Sequence, residues 1–261
     1  MSVSTPVTND HAVLQRWLPY CRLDAGRHKL RLLCFAHAGG SALVFHRWPE
    51  KLPWTVQVGA VQLPGRERRL HEPFFTRIPE LIDELSHVLL PWIDRPVALL
   101  GHSLGAKLAF EFARRLAAQP GAPEIVHLFV SGCPAPHYPS REMPIYSLPD
   151  DQFMQRLREF GGTPQEVLAN PDIMQFVVPR LRADFELDGT YRFTPGRALS
   201  CPLTAWAGDA DSVVSADSLE AWGEHTTGPF RSQIVRGSHF ALYEREAESI
   251  LQIRKALSAF T

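Results

Sequence analysis

One serine lies inside a short glycine-rich segment that could support nucleophilic catalysis. The segment Gly-His-Ser-Leu-Gly around Ser103 matches the pattern G-x-S-x-G. An apolar run typical of a buried strand, residues 97–100, precedes it, and a helical pattern at residues 106–118 follows it. A tight turn from strand to helix strains the serine backbone and presents its hydroxyl outward, and small neighbours such as Gly101 and Gly105 permit this turn. This context predicts that Ser103 is a nucleophile.

A serine hydroxyl is a poor nucleophile at neutral pH, so it needs a general base and an acid that orients this base. After a strand–turn–helix serine, these partners follow in the order Asp or Glu, then His. Asp209 and Asp211 come directly after an apolar strand at residues 203–207, and His239 follows another strand at residues 232–235. We predict His239 as the base and Asp211 as the acid. Asp209 is the competing acid, although an aspartate in a loop often caps the turn instead.

Acyl transfer also needs donors for the negative charge that develops on the carbonyl oxygen. The backbone N–H of Leu104 is one predicted donor, because it follows the nucleophile at the N-terminus of a predicted helix. The glycine-rich loop at residues 37–40 follows the first buried strand, and the Ala38 N–H is the second predicted donor. A tight turn without a catalytic role is the alternative interpretation of this loop.

Strand and helix patterns alternate along the chain, and this alternation predicts how the site is positioned. Buried strands are predicted at residues 30–36, 56–63, 97–100, 125–131, 203–207 and 232–235, and helices at 78–92, 106–118, 219–224 and 240–260. Parallel strands need crossover connections, which place helices on both faces of the sheet. The sequence therefore predicts an α/β fold with a mostly parallel central sheet and a ligand site at the carboxyl ends of the strands.

The alternation stops between Cys133 and Cys201, where a helical pattern is interrupted by glycines and prolines. We interpret this region, about residues 137–197, as a helical lid inserted into the fold. Residues 1–12 are polar and without pattern, so they are predicted to form a mobile tail. The length is compatible with one large core, and we assign a single domain to residues 13–261, with the lid inside it.

Composition argues against several classes of function. The 27 Lys and Arg residues and 28 Asp and Glu residues give a net charge of −1, so no basic field gathers nucleic acid. No apolar run approaches the roughly 18 residues of a membrane span, and the N-terminus lacks a signal-peptide pattern. We therefore expect a soluble, cytoplasmic protein. The four cysteines form no C-x-x-C pair, so we expect buried reduced thiols and no metal site.

Several longer segments resemble one family, the type II thioesterases, which are free-standing α/β-hydrolases that accompany nonribosomal peptide and polyketide synthases. The resemblance spans nearly the whole chain from about Leu30, and its motifs are far more specific than G-x-S-x-G. They are CFAHAGGSA at 34–42, VQLPGRERR at 61–69, GHSLGA at 101–106, EFGGTPQEVLANPDIM at 159–174, LRADFELDGTYR at 181–192, GDADSVV at 208–214 and GSHF at 237–240.

The resemblance implies an α/β-hydrolase fold and hydrolysis of acyl thioesters on the phosphopantetheine arm of carrier proteins. This activity clears misprimed or stalled units from an assembly line of the siderophore or antibiotic type. The resemblance also implies a triad of Ser103, Asp211 and His239, an oxyanion hole at Ala38 and Leu104, and a lid over an acyl channel. The implied mechanism requires no metal and no organic cofactor. The implied partners are acyl-loaded carrier proteins, not nucleic acid or membrane, and a monomer is the default expectation.

A local basic cluster is the candidate contact with such a partner. Arg66, Arg68 and Arg69 follow the turn Pro64-Gly65. Guanidinium groups bind phosphate and acidic surfaces well, so this cluster is a candidate contact for the phosphopantetheine phosphate or for the carrier protein. A solvated turn is the alternative.

Two other classes of function stay open at this point. A lipase, a carboxylesterase or an acyl-CoA hydrolase would use the same triad, because a fold and a catalytic set do not specify the substrate. A non-catalytic carrier or binding module is the other class, because residues 101–104 and 217–219 resemble a phosphopantetheine attachment site. Carrier domains are short helical bundles, whereas Ser103 follows an apolar strand in a chain with a full set of α/β strands, which favours an enzyme.

Overall fold

The computed structural model describes residues 8–23, 26, 28–138 and 144–261. Within these ranges, six strands form one sheet in which every neighbouring pair is parallel. The strands are β1 (Leu30–Phe35), β2 (Val56–Ala60), β3 (Val97–His102), β4 (Ile125–Ser131), β5 (Leu203–Gly208) and β6 (Phe230–Val235). Their order across the sheet is β2-β1-β3-β4-β5-β6. The predicted parallel sheet is confirmed.

Helices precede, connect and follow these strands. They are α1 (Thr8–Trp17), α2 (Trp48–Lys51), α3 (Ile78–Leu89), α4 (Leu104–Ala117), α5 (Asp150–Phe160), α6 (Gln165–Leu168), α7 (Pro171–Thr190), α8 (Ala216–Glu220), α9 (Ala241–Glu244) and α10 (Glu246–Ala256). Short 3-10 helices lie at Ala42–Phe45, Glu67–Arg69, Leu90–Trp92, Ile145–Ser147, Ala221–His225 and Ser258–Phe260.

The strands are apolar on both faces because helices cover both. Every residue of β1, β2, β3 and β5 is buried, whereas β6 at the edge of the sheet is partly exposed. Successive side chains of a strand point to opposite faces. Leu33 of β1 therefore joins the cluster formed with α3 and α4, and Leu32 joins the cluster formed with α2 and α10. This continuous burial is typical of a parallel sheet between two helical layers.

The region between β4 and β5 is helical, as predicted, and contains α5, α6 and α7. We call residues 145–190, which contain these helices and the 3-10 helix Ile145–Ser147, the insertion. Six of its buried side chains form a separate hydrophobic cluster, which consists of Ile145, Phe153, Leu157, Leu168, Met174 and Leu181. Leu187 of α7 belongs to the main cluster instead. The longest helix, α7, begins with a cap, because the Asn170 side chain accepts hydrogen bonds from the N–H groups of Asp172 and Ile173. Residues 139–143 of the predicted lid lie outside the described residues.

The N-terminal boundary differs from the prediction. Residues 8–12, which the sequence pattern assigned to a mobile tail, form the first half of α1. The physical reason lies in the second half of this helix, where Val13, Leu14 and Trp17 pack against the main hydrophobic cluster and support the turns before them. The prediction for residues 1–7 lies outside the described residues.

All four cysteines are buried, as predicted. Among the described residues, no helix combines the length and the apolar composition that crossing a membrane requires.

Candidate active site

Ser103 lies between β3 and α4 in a strained backbone conformation. Its φ of 55° and ψ of −122° are uncommon for a residue with a side chain. The Ser103 N–H donates to the Ser131 carbonyl at 2.8 Å, and its own carbonyl accepts from the Ala106 N–H at 2.9 Å. Because α4 begins at the next residue, the serine is at the positive end of a helix dipole. Strain of this kind clusters at functional sites.

Two glycines allow the close backbone approach that this turn needs. A Cβ atom on Gly101 would overlap the carbonyl of Gly105. A Cβ atom on Gly105 would overlap the carbonyl of Phe35 and lie 2.6 Å from that of Ala36. The start of α4 therefore rests directly on the end of β1, from which the loop at residues 37–40 continues. The expected need for small residues on both sides of Ser103 is confirmed.

His239 and Asp211 form a hydrogen-bonded pair in which the carboxylate is buried and the imidazole is partly exposed. The imidazole Nδ1 is 2.9 Å from Asp211 Oδ2, and the Asp211 side chain is fully buried. The other carboxylate oxygen accepts the Val213 N–H at 2.8 Å, which fixes the orientation of the carboxylate. Because a carboxylate only accepts, Nδ1 is the donor, and Nε2 of the neutral ring is left as an acceptor. This is the tautomer that a general base requires.

Asp209 has a different role: it joins two loops by hydrogen bonds. Its Oδ1 accepts the Gly237 N–H at 2.9 Å, and its own N–H donates to the Val235 carbonyl at 2.8 Å. The loop after β5 is thus tied to the loop after β6, which carries His239. The structure brings Asp211, and not Asp209, to the imidazole.

The His239 ring lies beside the serine turn. Its centroid is 5.1 Å from that of His102, the residue that precedes Ser103. A Cβ atom on Gly132, directly after β4, would lie 3.2 Å from the His239 carbonyl oxygen. The Ser103 hydroxyl makes no hydrogen bond to any residue that the structure describes. Catalytic hydrogen bonds often tighten only when substrate is bound.

Two further histidines near the turn are held in the neutral form. Burial, with a smaller contribution from His239, lowers the pKa of His37 to about 4 and places the pKa of His102 well below its ordinary value. His37 Nδ1 is 3.2 Å from the Tyr243 hydroxyl, and His102 Nδ1 is 3.2 Å from the Ser131 hydroxyl. At neutral pH, neither ring adds a positive charge beside the His239 base.

The loop at residues 37–40, which we call the oxyanion loop, has one N–H group of particular interest. The Gly40 N–H closes a turn on the His37 carbonyl at 2.9 Å, and the Gly39 N–H donates to Asp184 Oδ2 at 2.6 Å. The Ala38 N–H donates to no acceptor within the described part of the chain. The Leu104 N–H is at the first position of α4, where a helix offers no acceptor. Both predicted donors are thus available to a substrate oxygen.

The predicted role of Arg66 as a carrier contact is wrong. Its side chain is only 3% exposed and forms a bidentate ion pair with Asp184. Its Nη1 also donates to the Gly40 carbonyl at 2.8 Å. A guanidinium that leaves water must be paired in this way, so Arg66 is not free to bind phosphate.

Arg69 is also a structural residue, which corrects its predicted role. It is 6% exposed, donates to the Gln62 carbonyl at 2.7 Å and pairs with Glu72. Its guanidinium lies 3.9 Å from the centre of the Trp17 ring. Arg66 and Arg69, three positions apart in and before one 3-10 helix, are both buried. Among the three arginines, only Arg68 is exposed.

The sequence analysis did not identify Asp184, the buried partner of Arg66. A signal was present, because Leu181, Asp184 and Leu187 are spaced by three residues in a helical pattern. All three are buried in the structure. An aspartate on the apolar face of a helix indicates a buried cationic partner.

These groups are the parts of a serine-based acyl-transfer site. The serine is on a strained turn at a helix N-terminus, the imidazole is oriented by a buried carboxylate, and two N–H groups are available. Over the described residues, no cluster of three or more His, Cys, Asp or Glu side chains could hold a metal ion.

Comparison with known proteins identifies the family. The sequence model of a protein family, described as "Thioesterase domain", matches residues 30–257. The chain belongs to the thioesterase family. Gramicidin S biosynthesis protein GrsT of Aneurinibacillus migulanus is 42% identical to this thioesterase over 237 residues, which are 91% of this chain and 92% of GrsT. The resemblance inferred from the motifs is confirmed.

Solved structures agree with this assignment. The type II thioesterase BorB from the borrelidin biosynthetic cluster has a TM-score of 0.81 to this thioesterase, with 37% identity over 89% of this chain and 94% of BorB. RedJ, a thioesterase from the prodiginine biosynthetic pathway in Streptomyces coelicolor, has a TM-score of 0.82 and 34% identity over 89% of this chain and 87% of RedJ. The fold is the α/β-hydrolase fold, as predicted, and the chain is a serine hydrolase of the type II thioesterase class.

Proposed function

We propose that this thioesterase removes acyl groups from the phosphopantetheine thiol of carrier proteins, and so clears misprimed or stalled units from a nonribosomal peptide or polyketide assembly line. The observation that carries the proposal is the hydrogen-bonded Asp211–His239 pair beside the strained Ser103, in a chain of the thioesterase family. Support for the substrate comes from relatives that are named for such pathways.

The first half of the proposed reaction forms an acyl-enzyme. Ser103 Oγ attacks the thioester carbonyl while His239 Nε2 takes the hydroxyl proton, and Asp211 stabilises the resulting imidazolium. The N–H groups of Ala38 and Leu104 bind the oxyanion of the tetrahedral intermediate. The carbon–sulfur bond then breaks, and the pantetheine thiol leaves with the proton from His239. An ester on Ser103 remains.

The second half of the proposed reaction releases the acid. A water molecule attacks the ester carbonyl, and His239 takes one of its protons. The same two N–H groups bind the second oxyanion. The ester bond breaks, and His239 returns its proton to Ser103 Oγ. The site thereby returns to its initial state without a metal ion or an organic cofactor in the mechanism.

The insertion is the proposed lid over the acyl chain. Its helix α7 lies directly against the oxyanion loop. The Leu181 side chain is so close to Gly39 that a Cβ atom on this glycine would overlap it. An acyl group on Ser103 would therefore extend between the insertion and the sheet. Exposed Arg68 is the remaining member of the basic cluster that could contact a carrier protein. The proposed working form is a monomer.

The experiment measures release of an acyl group from a phosphopantetheinylated carrier protein by the wild type and by Ser103→Ala, with a p-nitrophenyl ester assayed in parallel. We expect the wild type to release the acyl group and the variant to lose at least about 1,000-fold in kcat, because the nucleophile is absent. Equal circular dichroism spectra and equal Tm values control for folding. Turnover of the free ester alone would make the protein a general esterase. Equal carrier turnover by both proteins would exclude the Ser103 mechanism.

A further inference from the structure

The carboxylate of Asp184 binds the oxyanion loop although Asp184 belongs to the insertion. Its side chain is 2% exposed. Oδ2 accepts the Gly39 N–H at 2.6 Å and Arg66 Nη1 at 2.9 Å, and Oδ1 accepts Arg66 Nη2 at 2.7 Å. Charge-assisted bonds of this kind are about twice as strong as neutral ones and have a fixed geometry. One carboxylate thus holds a loop N–H group and a buried cation together.

Arg66 extends this contact to the other end of the loop. Its Nη1 donates to the Gly40 carbonyl at 2.8 Å, and its Nε donates to the Pro64 carbonyl at 3.2 Å. The ion pair therefore binds the two peptide groups on either side of the Gly39–Gly40 peptide, through the Gly39 N–H and the Gly40 carbonyl. Because both charged groups are buried, water cannot replace either contact without opening the packing between α7 and the sheet.

The backbone of the oxyanion loop needs such a support. The His37 carbonyl and the Gly40 N–H close a four-residue turn, and Gly39 at its third position has a φ of +77°. A positive φ at this position is the mark of a type II turn, which differs from type I mainly by a rotation of the central peptide group. The central peptide here carries the Gly39 N–H that Asp184 accepts. Asp184 thus selects one orientation of the Ala38–Gly39 peptide, and with it the backbone conformation of Ala38, whose own N–H belongs to the preceding peptide.

We infer that Asp184 is a positioning residue for the oxyanion hole: from the insertion, it holds the Ala38 N–H group in the direction that the tetrahedral intermediate requires. This inference rests on the proposed function. Oxyanion donors act only when they are aimed at the oxygen position of the transition state, and a displacement of about 1 Å can cost 100-fold in rate. The main effect of Asp184 is therefore expected on kcat rather than on ground-state binding.

A matched control lies one turn further along the same helix. Asp188 also anchors α7 to the body of the protein, through an ion pair with Lys107 Nζ at 2.7 Å. Like Asp184, it joins the insertion to a cation elsewhere in the chain. Its carboxylate has no hydrogen bond to the oxyanion loop. Comparing the two aspartates separates the anchoring of α7 from the positioning of the loop.

The experiment compares Asp184→Ala with Asp188→Ala in hydrolysis of an acyl-pantetheine thioester. Alanine is used because an asparagine oxygen could still accept the Gly39 N–H. We expect Asp184→Ala to lower kcat by about 10- to 100-fold with KM within about twofold, because the donor is misdirected only in the transition state. A trifluoromethyl ketone analogue, whose adduct with Ser103 carries the oxyanion, should bind more weakly by the same factor. A thioether analogue, which forms no adduct, should bind equally well. Asp188→Ala should keep the wild-type values.

A second variant is needed in case Asp184→Ala does not fold, because this change leaves the Arg66 charge buried without a partner. The double change Arg66→Met and Asp184→Leu removes both charges and the acceptor for the Gly39 N–H, so no unpaired charge stays in the core. We expect the same loss of kcat in this folded protein. An unchanged kcat, an effect on KM alone, or an equal loss in Asp188→Ala would overturn the inference. A wild type that does not hydrolyse the thioester would instead overturn the proposed function.

Discussion

At the scale of single residues, the chemistry of the site depends on what His239 is paired with. Two aspartates lie two positions apart in the loop after β5, and their oxygens have different partners. Asp211 accepts from the imidazole and from the Val213 N–H, while Asp209 accepts from the Gly237 N–H. One carboxylate fixes the tautomer of the base, and the other holds the loop in which this base lies.

This difference predicts different results for two similar substitutions. We expect Asp211→Asn to lower kcat by about 10,000-fold, because an amide in this position favours the wrong imidazole tautomer. Asp209→Asn keeps an oxygen acceptor for the Gly237 N–H, so its kcat should stay within about tenfold of the wild-type value. Steady-state thioester hydrolysis measures both. Equal losses of kcat in the two variants would show that activity depends on the conformation of the loop and not on Asp211 as the partner of His239.

Single residues also show where prediction from sequence succeeds and where it stops. The placement of Ser103, Asp211 and His239 at one site could be predicted because each follows a strand, and parallel strands bring their carboxyl ends to one edge of the sheet. Arg66 was assigned wrongly as a surface cation. Its partner Asp184 is 118 positions away in the sequence, and local charge patterns contain no information on such a distant contact.

At the scale of elements, the observed strands and helices lie where the sequence pattern predicts them, but several of their end residues differ from the predicted ones. The second strand ends at Ala60 rather than at residue 63, because the Gln62 N–H donates outside the sheet, to the Trp17 carbonyl. The predicted C-terminal helix is divided at Arg245 into α9 and α10. Apolar periodicity predicts which segments are buried, whereas an element ends where tertiary hydrogen bonds compete with its own.

The separate hydrophobic cluster of the insertion predicts local stability. Phe153 in the insertion and Phe112 in α4 are both fully buried phenylalanines, but they belong to different clusters. Each Phe→Ala change removes about 3–5 kcal/mol of packing. We expect Phe112→Ala to lower the free energy of global unfolding, and Phe153→Ala to release mainly the insertion.

Two measurements distinguish these outcomes. Hydrogen exchange should become faster over residues 150–181 in Phe153→Ala while the strands stay protected. In urea unfolding followed by tryptophan fluorescence, the main transition should move further for Phe112→Ala. A common loss of protection over the whole chain in both variants would show that the insertion and the sheet unfold as one unit.

At the scale of the whole molecule, buried neutral histidines connect stability to pH. Burial lowers the pKa values of His37, His127 and His225 to about 4, and it holds the pKa of His102 well below its ordinary value. In the unfolded chain, a histidine has a pKa of about 6.5. The unfolded state therefore binds more protons between about pH 4 and 6.5. Stability is fully present above this window and is lost as the pH falls through it.

His127 offers a test of this linkage away from the active site. Its Nε2 is 2.9 Å from the Thr204 hydroxyl, and its ring stacks on Phe129. Each such histidine lowers the free energy of unfolding by up to about 1.4 kcal/mol per pH unit within the window. We expect the loss of stability between pH 7.5 and pH 5 to be about 1–2 kcal/mol smaller in His127→Gln than in the wild type. Urea unfolding at both pH values measures it, and an equal loss in both proteins would contradict the prediction.

The contact between α7 and the oxyanion loop limits how freely this protein can be recombined with its relatives. Exchange of residues 145–190 is an obvious way to transplant a different acyl preference onto the same sheet. Such a chimera would also import a new neighbour for Gly39 and a new acceptor for Arg66. Positions 66, 181 and 184 must therefore be exchanged or retained together, and a library that varies the insertion alone would mix changes of specificity with loss of rate.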